Sequence, residues 1–229
     1  MCILTYCASG SLVKTVGEAV HVATLRCKRW KCDYCKPFRA RALKYLCREG
    51  GPTKFLTLTV NPATEPDPHK AARLLVWAWQ CVVKRIKRRY GFDRVPYIVV
   101  IERTKKGFPH LHVLGRFGYV PHEWLSEQMR QLINAPIVDV RQVKNAKQAA
   151  AYVAKYVGKD PHQFVGCKRY WRSQDWILNR EKWEADRDDF RAGWMKNPAS
   201  PLTIADDLLR RGFALVWRDP DYLIAEPGG

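Results

Sequence analysis

The segment VPYIVVIERTKKGFPHLHVLGRF, residues 95–117, decides the fold. Two runs rich in β-branched and aromatic residues flank Thr104-Lys105-Lys106-Gly107, a short glycine-containing connection of the kind that closes a hairpin. Side chains alternate along a strand, so His110 and His112 share one face and Leu111 takes the other. A pairing with Glu102 opposite His110 stands the carboxylate beside both imidazoles, and a slip of one residue turns it away. Two neutral imidazoles and one carboxylate suit a divalent cation, Mg2+ or Mn2+, with positions left for water and a phosphate oxygen. A His-x-His pair alone is more often structural, so its surroundings carry the reading.

Working outward, TKFLTLTV (53–60) alternates and is rich in strand formers, and NPATEPDP closes it. From His69 to Tyr90 the apolar residues Ala72, Leu75, Val76, Trp79, Val83 and Ile86 recur at helical spacing, with Lys84 and Lys87 off that stripe. Residues 121–134 read as a helix, 136–143 as a strand and 145–159 as a helix stopped near Gly158. The order β-α-β-β-α-β-α predicts an α+β domain whose antiparallel sheet has helices packed on one face. The other face is then left for a substrate.

The last of these helices carries AAAYVAKYVGKD, residues 149–160. Residues four apart are neighbours on a helix, so Tyr152 and Tyr156 share a surface, flanked by Lys155 and Lys159. They lie at the border of the apolar stripe formed by Ala146, Ala149, Ala150, Val153 and Val157. Half-buried packing is the ordinary role of such tyrosines. Beside a divalent cation and a lysine, a phenol also becomes a nucleophile toward a phosphodiester, and the resulting ester conserves the bond energy for rejoining.

Forty Lys and Arg against 22 Asp and Glu give a formal charge of +18, which favours a polyanion, nucleic acid first. The basic residues cluster in RCKRWKCDYCKPFRARALK and KRIKRRY. Within the first cluster, Cys27-x4-Cys32-x2-Cys35 has the spacing by which thiolates reach one zinc. A tetrahedral site needs a fourth ligand: Cys7 is the first choice, then Cys2, His21 and Cys47. Arg29, Lys31 and Arg39 surround this zinc-binding lobe and, with Lys84, Lys87 and Lys159, are the candidate DNA contacts. The expected organisation is a cysteine-rich basic lobe over 1–50, a core over 51–160 and a C-terminal extension over 161–229, packed on the core and without an assigned role. No export signal and no long apolar run is visible, so a cytoplasmic location is expected and no membrane.

TKFLTLTV, IERTKKGFPHLHVLG and AYVAKYVGK, in this order and at these spacings, resemble the three motifs of the HUH endonucleases, named for His-hydrophobic-His. The likeness is to the two-tyrosine rolling-circle replication initiators of single-stranded DNA phages. It implies an RRM-like core with His110, His112 and Glu102 as ligands of the catalytic divalent ion. It further implies Tyr152 and Tyr156 as alternating nucleophiles that form a 5′-phosphotyrosine and release a 3′-hydroxyl, and Lys155 as orienting the phosphate or a metal-bound water. Single-stranded or hairpin origin DNA is then the partner. Host helicase and polymerase would supply unwinding and synthesis, in the host cytoplasm if a phage encodes the chain. Alternatives are a transposase or relaxase of the same superfamily, or a non-catalytic zinc-containing nucleic-acid-binding protein.

Overall fold

The computed structural model describes residues 7, 10–159, 163–219 and 221–228. Along the chain the elements are β1 (Ser11–Val16), β2 (Ala19–Thr24), α1 (Cys35–Glu49), β3 (Lys54–Leu58), α2 (Pro68–Tyr90), β4 (Tyr97–Arg103), β5 (Pro109–Gly115) and α3 (His122–Ile133). There follow β6 (Val138–Gln142), α4 (Ala146–Lys159), β7 (Tyr170–Arg172), α5 (Arg180–Arg191), β8 (Met195–Asn197), α6 (Pro201–Arg210), β9 (Phe213–Arg218) and β10 (Tyr222–Pro227). The architecture is α+β, with two antiparallel sheets ordered β6-β3-β5-β4-β7 and β8-β1-β2-β10-β9. Among the described residues no helix is long and apolar enough to cross a membrane.

The chain divides into two compact units, residues 40–180 and residues 1–39 with 181–229. This differs from the expected boundaries near 50 and 160, for a physical reason. Strand β2 pairs on one side with β1 and on the other with β10, so the two ends of the sequence complete one sheet. The β1–β2 hairpin lies in a stretch that sequence patterning read only as part of a cysteine-rich lobe. GFALVW, read as one more strand, supplies β9.

In the unit of residues 40–180, the β4–β5 hairpin closes as its sequence suggests. Thr104 N donates to Phe108 O at 2.9 Å, Gly107 N donates to Thr104 O at 2.9 Å, and Phe108 N donates to Thr104 Oγ1 at 3.1 Å. Gly107 sits at φ 89°, a conformation that side chains disfavour, so the glycine sets where the turn closes. The resulting register places Glu102 opposite His110 and Val100 opposite His112.

One face of this sheet is sealed by α2 and α3. Asp67 caps α2 by accepting from the backbone N–H groups of His69 and Lys70 at 2.7 and 3.2 Å, Pro68 opens it, and Gly91 ends it at φ 66°. Its apolar stripe, Ala72, Leu75, Ala78, Trp79, Val82 and Ile86, is buried against Leu56, Leu58, Val99, Ile101, Leu111 and Val113 of the strands and Leu125 and Met129 of α3. The opposite face carries Phe55, Thr57, Glu102, His110 and His112, and it is not bare: α4 packs on β4 and brings Tyr152 against Phe55 and His112. Ala150 and Val153 are fully buried, as the stripe predicts, and α4 continues past Gly158 to Lys159.

In the unit of residues 1–39 and 181–229, α6 covers one face of the second sheet through Ala205 and Leu208, against Val22, Leu223 and Ala225. Ser200 caps α6 by accepting from Thr203 N at 3.1 Å.

Leu111 is wholly buried between two sheet neighbours and α2, while the flanking histidines take the other face. Leu111→Ala is therefore expected to cost about 2–5 kcal/mol in chemical denaturation, the range for removing a buried leucine side chain.

Candidate functional site

Three neighbouring strands and one helix build the site. Strand β5 lies between β3 and β4, with Thr57 and Val100 each opposite His112. The His112 imidazole is 4% exposed and gripped from both ends: Nε2 lies 2.7 Å from Glu102 Oε2 and Nδ1 lies 3.3 Å from Thr57 Oγ1. A hydroxyl both donates and accepts, so Thr57 can serve either tautomer. When Nδ1 carries the proton and donates to Thr57, the Nε2 lone pair is available to a cation.

His110 stands one pleat along, with its ring centroid 6.4 Å from that of His112. Burial first, and then the neighbouring His112, push its pKa below the ordinary imidazole value. The neutral ring, the form that can ligate, therefore persists to lower pH than for an exposed histidine. Glu102, His110 and His112 thus share one face as the sequence predicts, with Glu102 and His112 in direct contact. Their chemistry, two imidazoles and a carboxylate on a rigid sheet, fits a divalent cation.

Tyr152 comes to these residues from α4. Its ring lies edge-on to Phe55 at 5.5 Å and to His112 at 6.4 Å, while Phe55 stacks on His112 at 5.7 Å. Tyr152 nevertheless remains 47% exposed. The phenol is thus neither sealed in the core nor free of the histidine face. Lys155, Tyr156 and Lys159 belong to the same helix, but their side chains lie outside the described residues. Thr57 and Phe55 were not singled out from the sequence. The signal was there in TKFLTLTV: alternation puts 55 and 57 on one face, and only the register with His112 gives them a role.

Residues 53–161 match the family of replication-associated proteins typified by ORF2 and the gene-2 protein. That is a family of rolling-circle replication initiators of the HUH type, and the match supports a replication-initiator role and binding to origin DNA. The matched segment holds β3, the β4–β5 hairpin and α4, which are the elements that build the histidine face. No curated protein and no solved structure matches the chain.

A second candidate centre lies in the other unit. The sulfurs of Cys7, Cys27, Cys32 and Cys35 all lie within 4.8 Å of one another, an arrangement that could hold zinc. Backbone amides already face the sulfurs: Cys27 N donates to Cys7 Sγ at 3.2 Å and Arg29 N to Cys27 Sγ at 3.4 Å. Among the described residues this is the one set of three or more such donors gathered so closely. Of the ranked fourth ligands, Cys7 is the residue that joins. The His21 ring is instead hydrogen-bonded to the Tyr222 hydroxyl, Cys47 is buried in α1, and Cys2 lies outside the described residues.

The candidate DNA contacts divide. Arg29 and Lys31 are exposed beside the cysteine cluster, and the Arg39 guanidinium lies 4.6 Å from the Trp30 ring centroid and donates to Lys28 O. Lys84 and Lys87 are exposed on α2, which covers the sheet face opposite the histidines, and Lys87 Nζ donates to Asp93 O at 3.0 Å. The structure does not bring those two lysines to the histidine face.

Burial and the hydrogen bond with Cys27 push the Cys35 thiol up to about 12. Metal binding must therefore displace protons, and zinc affinity is expected to rise with pH between about 6 and 8, measured by competition with a chromophoric chelator. Cys32→Ser should abolish stoichiometric zinc in metal analysis of the purified protein. Separately, the His110 ring should titrate below about pH 6.5 in a histidine NMR titration.

Proposed function

We propose that the protein is a nicking and joining endonuclease of the two-tyrosine type, acting on single-stranded or hairpin origin DNA to start rolling-circle replication. The single observation that carries this reading is the half-exposed Tyr152 phenol, held by ring contacts against His112 on the face that also presents Glu102 and His110.

In this mechanism the sheet supplies position and the helix supplies the nucleophile. Glu102, His110 and His112 would hold Mg2+ or Mn2+, which neutralises charge on the phosphate oxygens and lowers the barrier to attack. The Thr57 hydroxyl fixes the tautomer of His112. Tyr152 Oη loses its proton to solvent and attacks the phosphorus, forming a phenol–phosphate bond. The bond from phosphorus to the 3′-oxygen breaks, and that oxygen leaves as a hydroxyl after taking up a proton. One phosphodiester replaces another, so a free 3′-hydroxyl can reverse the step and reseal the strand. Tyr156, one helical turn further on, would make a second cut while the first ester persists, with Lys155 orienting the phosphate.

Lys159, Arg29, Lys31 and Arg39 would contact the DNA backbone, and Lys84 and Lys87 would serve strands that wrap past α2. The zinc-held cysteine cluster would keep the basic loop around Arg29 folded.

Incubation of labelled single-stranded DNA with the protein and Mn2+ should give a covalent adduct stable to denaturant. An adduct that persists in the Tyr152→Phe, Tyr156→Phe double variant would reject the nucleophile assignment. His112→Ala should abolish adduct formation while leaving salt-dependent DNA binding within about twofold, because phosphate contacts come from Lys and Arg elsewhere. Thr57→Val should raise the Mn2+ concentration needed for half-maximal adduct about tenfold or more, the effect expected when a ligand loses its orienting partner.

A further inference from the structure

Beside Tyr152 the surface opens into a pocket of about 400 Å3 between α4 and the segment that leads into it. Its walls are mainly apolar: Phe55, Val143, Ala149 and the Tyr152 ring. Gln142 and Gln148 also line it, both exposed, and neither carboxamide has a partner among the described residues. The pocket is rigidly framed. Asn145 caps α4 by accepting from Gln148 N at 3.1 Å, Ala149 N donates to Asn145 O at 3.1 Å, and Val143 N donates to Thr53 O at 2.9 Å. Arg141, at the rim, is paired with Asp139 at 2.7 Å.

A planar heterocycle suits this combination. Its faces would meet aromatic and aliphatic walls, and its edge would meet two carboxamides, each with a donor and an acceptor to offer. The volume lies at the lower end for small-ligand pockets and suits one nucleotide's base rather than a longer segment. Charge complementarity favours the same occupant, since Lys144 and Arg141 at the rim can meet the phosphates on either side of it.

Resting on the nicking reading above, we propose that this pocket takes the unstacked base of a nucleotide next to the phosphodiester attacked by Tyr152. Gln142 and Gln148 then act as specificity-determining residues. The attacked bond is thereby selected by a base held against the nucleophile's own ring, so recognition and chemistry share one helix. Gln148 precedes Tyr152 by four residues and therefore lies one turn away along the same surface.

The test separates binding from cutting. The Tyr152→Phe, Tyr156→Phe variant keeps both rings but cannot form the ester. It is used to select a tight-binding single-stranded 12-mer from a randomised pool, and each base of that 12-mer is then removed in turn. One abasic position is expected to weaken binding about tenfold or more, within the range for losing one stacked base. That sensitivity should fall to about twofold or less when Gln142→Ala and Gln148→Ala are added. Both glutamines are exposed, so folding is checked by the thermal melt. The wild-type protein then cuts the same 12-mer, and the sensitive base should lie within one nucleotide of the cut. The absence of any sensitive position, an unchanged profile in the glutamine variants, or a sensitive base remote from the cut would each overturn the proposal. A sensitive, glutamine-dependent base with no cut and no adduct would instead retain the base pocket and reject the nicking reading.

Discussion

The pairing of β4 with β5 is the constraint on which the histidine face depends. With Glu102 opposite His110, every even-numbered side chain of the hairpin faces α4 and every odd-numbered one faces α2 and α3. The same parity that buries Leu111 and Val113 in the core makes Glu102 and His112 bonding partners at 2.7 Å. A shift of one residue would put two imidazoles into a hydrocarbon core and two leucine-sized residues onto the site face. Such a shift is opposed at once by burial and by desolvation of the polar groups. The core therefore enforces the geometry of the site at no separate cost.

Around that register each unit satisfies its own physics. In the unit of residues 40–180, His112 is nearly enclosed, yet both of its nitrogens have polar neighbours, so its burial leaves no nitrogen without a partner. His110, also screened from water, is biased toward its neutral form by that screening. Both effects leave the face supplied with neutral nitrogen donors and one carboxylate, opposite a phenol that solvent and substrate can reach. In the unit of residues 1–39 and 181–229, four sulfurs are gathered where a knuckle loop meets the start of α1, and amides at Cys27 and Arg29 face them. Small β units with short strands have little core to spare, and a metal cross-link there adds to what Val22, Leu208 and Leu223 bury.

Much of the chain was legible as sequence. The strand at 53–60, the helix at 69–90, the hairpin and its even register, and the helix carrying Tyr152 all follow from periods of two and 3.6, because local geometry alone fixes those periods. Cys27, Cys32 and Cys35 declared themselves by spacing, whereas Cys7, distant in sequence, stood only first among several candidates for the fourth place until the fold brought it to them. Strands β1 and β2 were missed, since SLVKTV and AVHVAT are short and half-buried and were overshadowed by the cysteines around them.

By itself, then, the sequence determined which residues face the same way within one element: His110 with His112, Tyr152 with the border of its apolar stripe, the cysteines within one loop. Only the tertiary structure decided which elements meet. It brought α4 onto a face expected to be open, set Phe55 and Thr57 against His112, placed Lys84 and Lys87 on the far side of the sheet, and joined the two ends of the chain through β2 and β10. The reason is one of range. Alternation and helical spacing are set by backbone dihedrals between neighbours, whereas the meeting of distant segments is set by how much apolar surface they can jointly remove from water, and no short stretch of sequence encodes that sum.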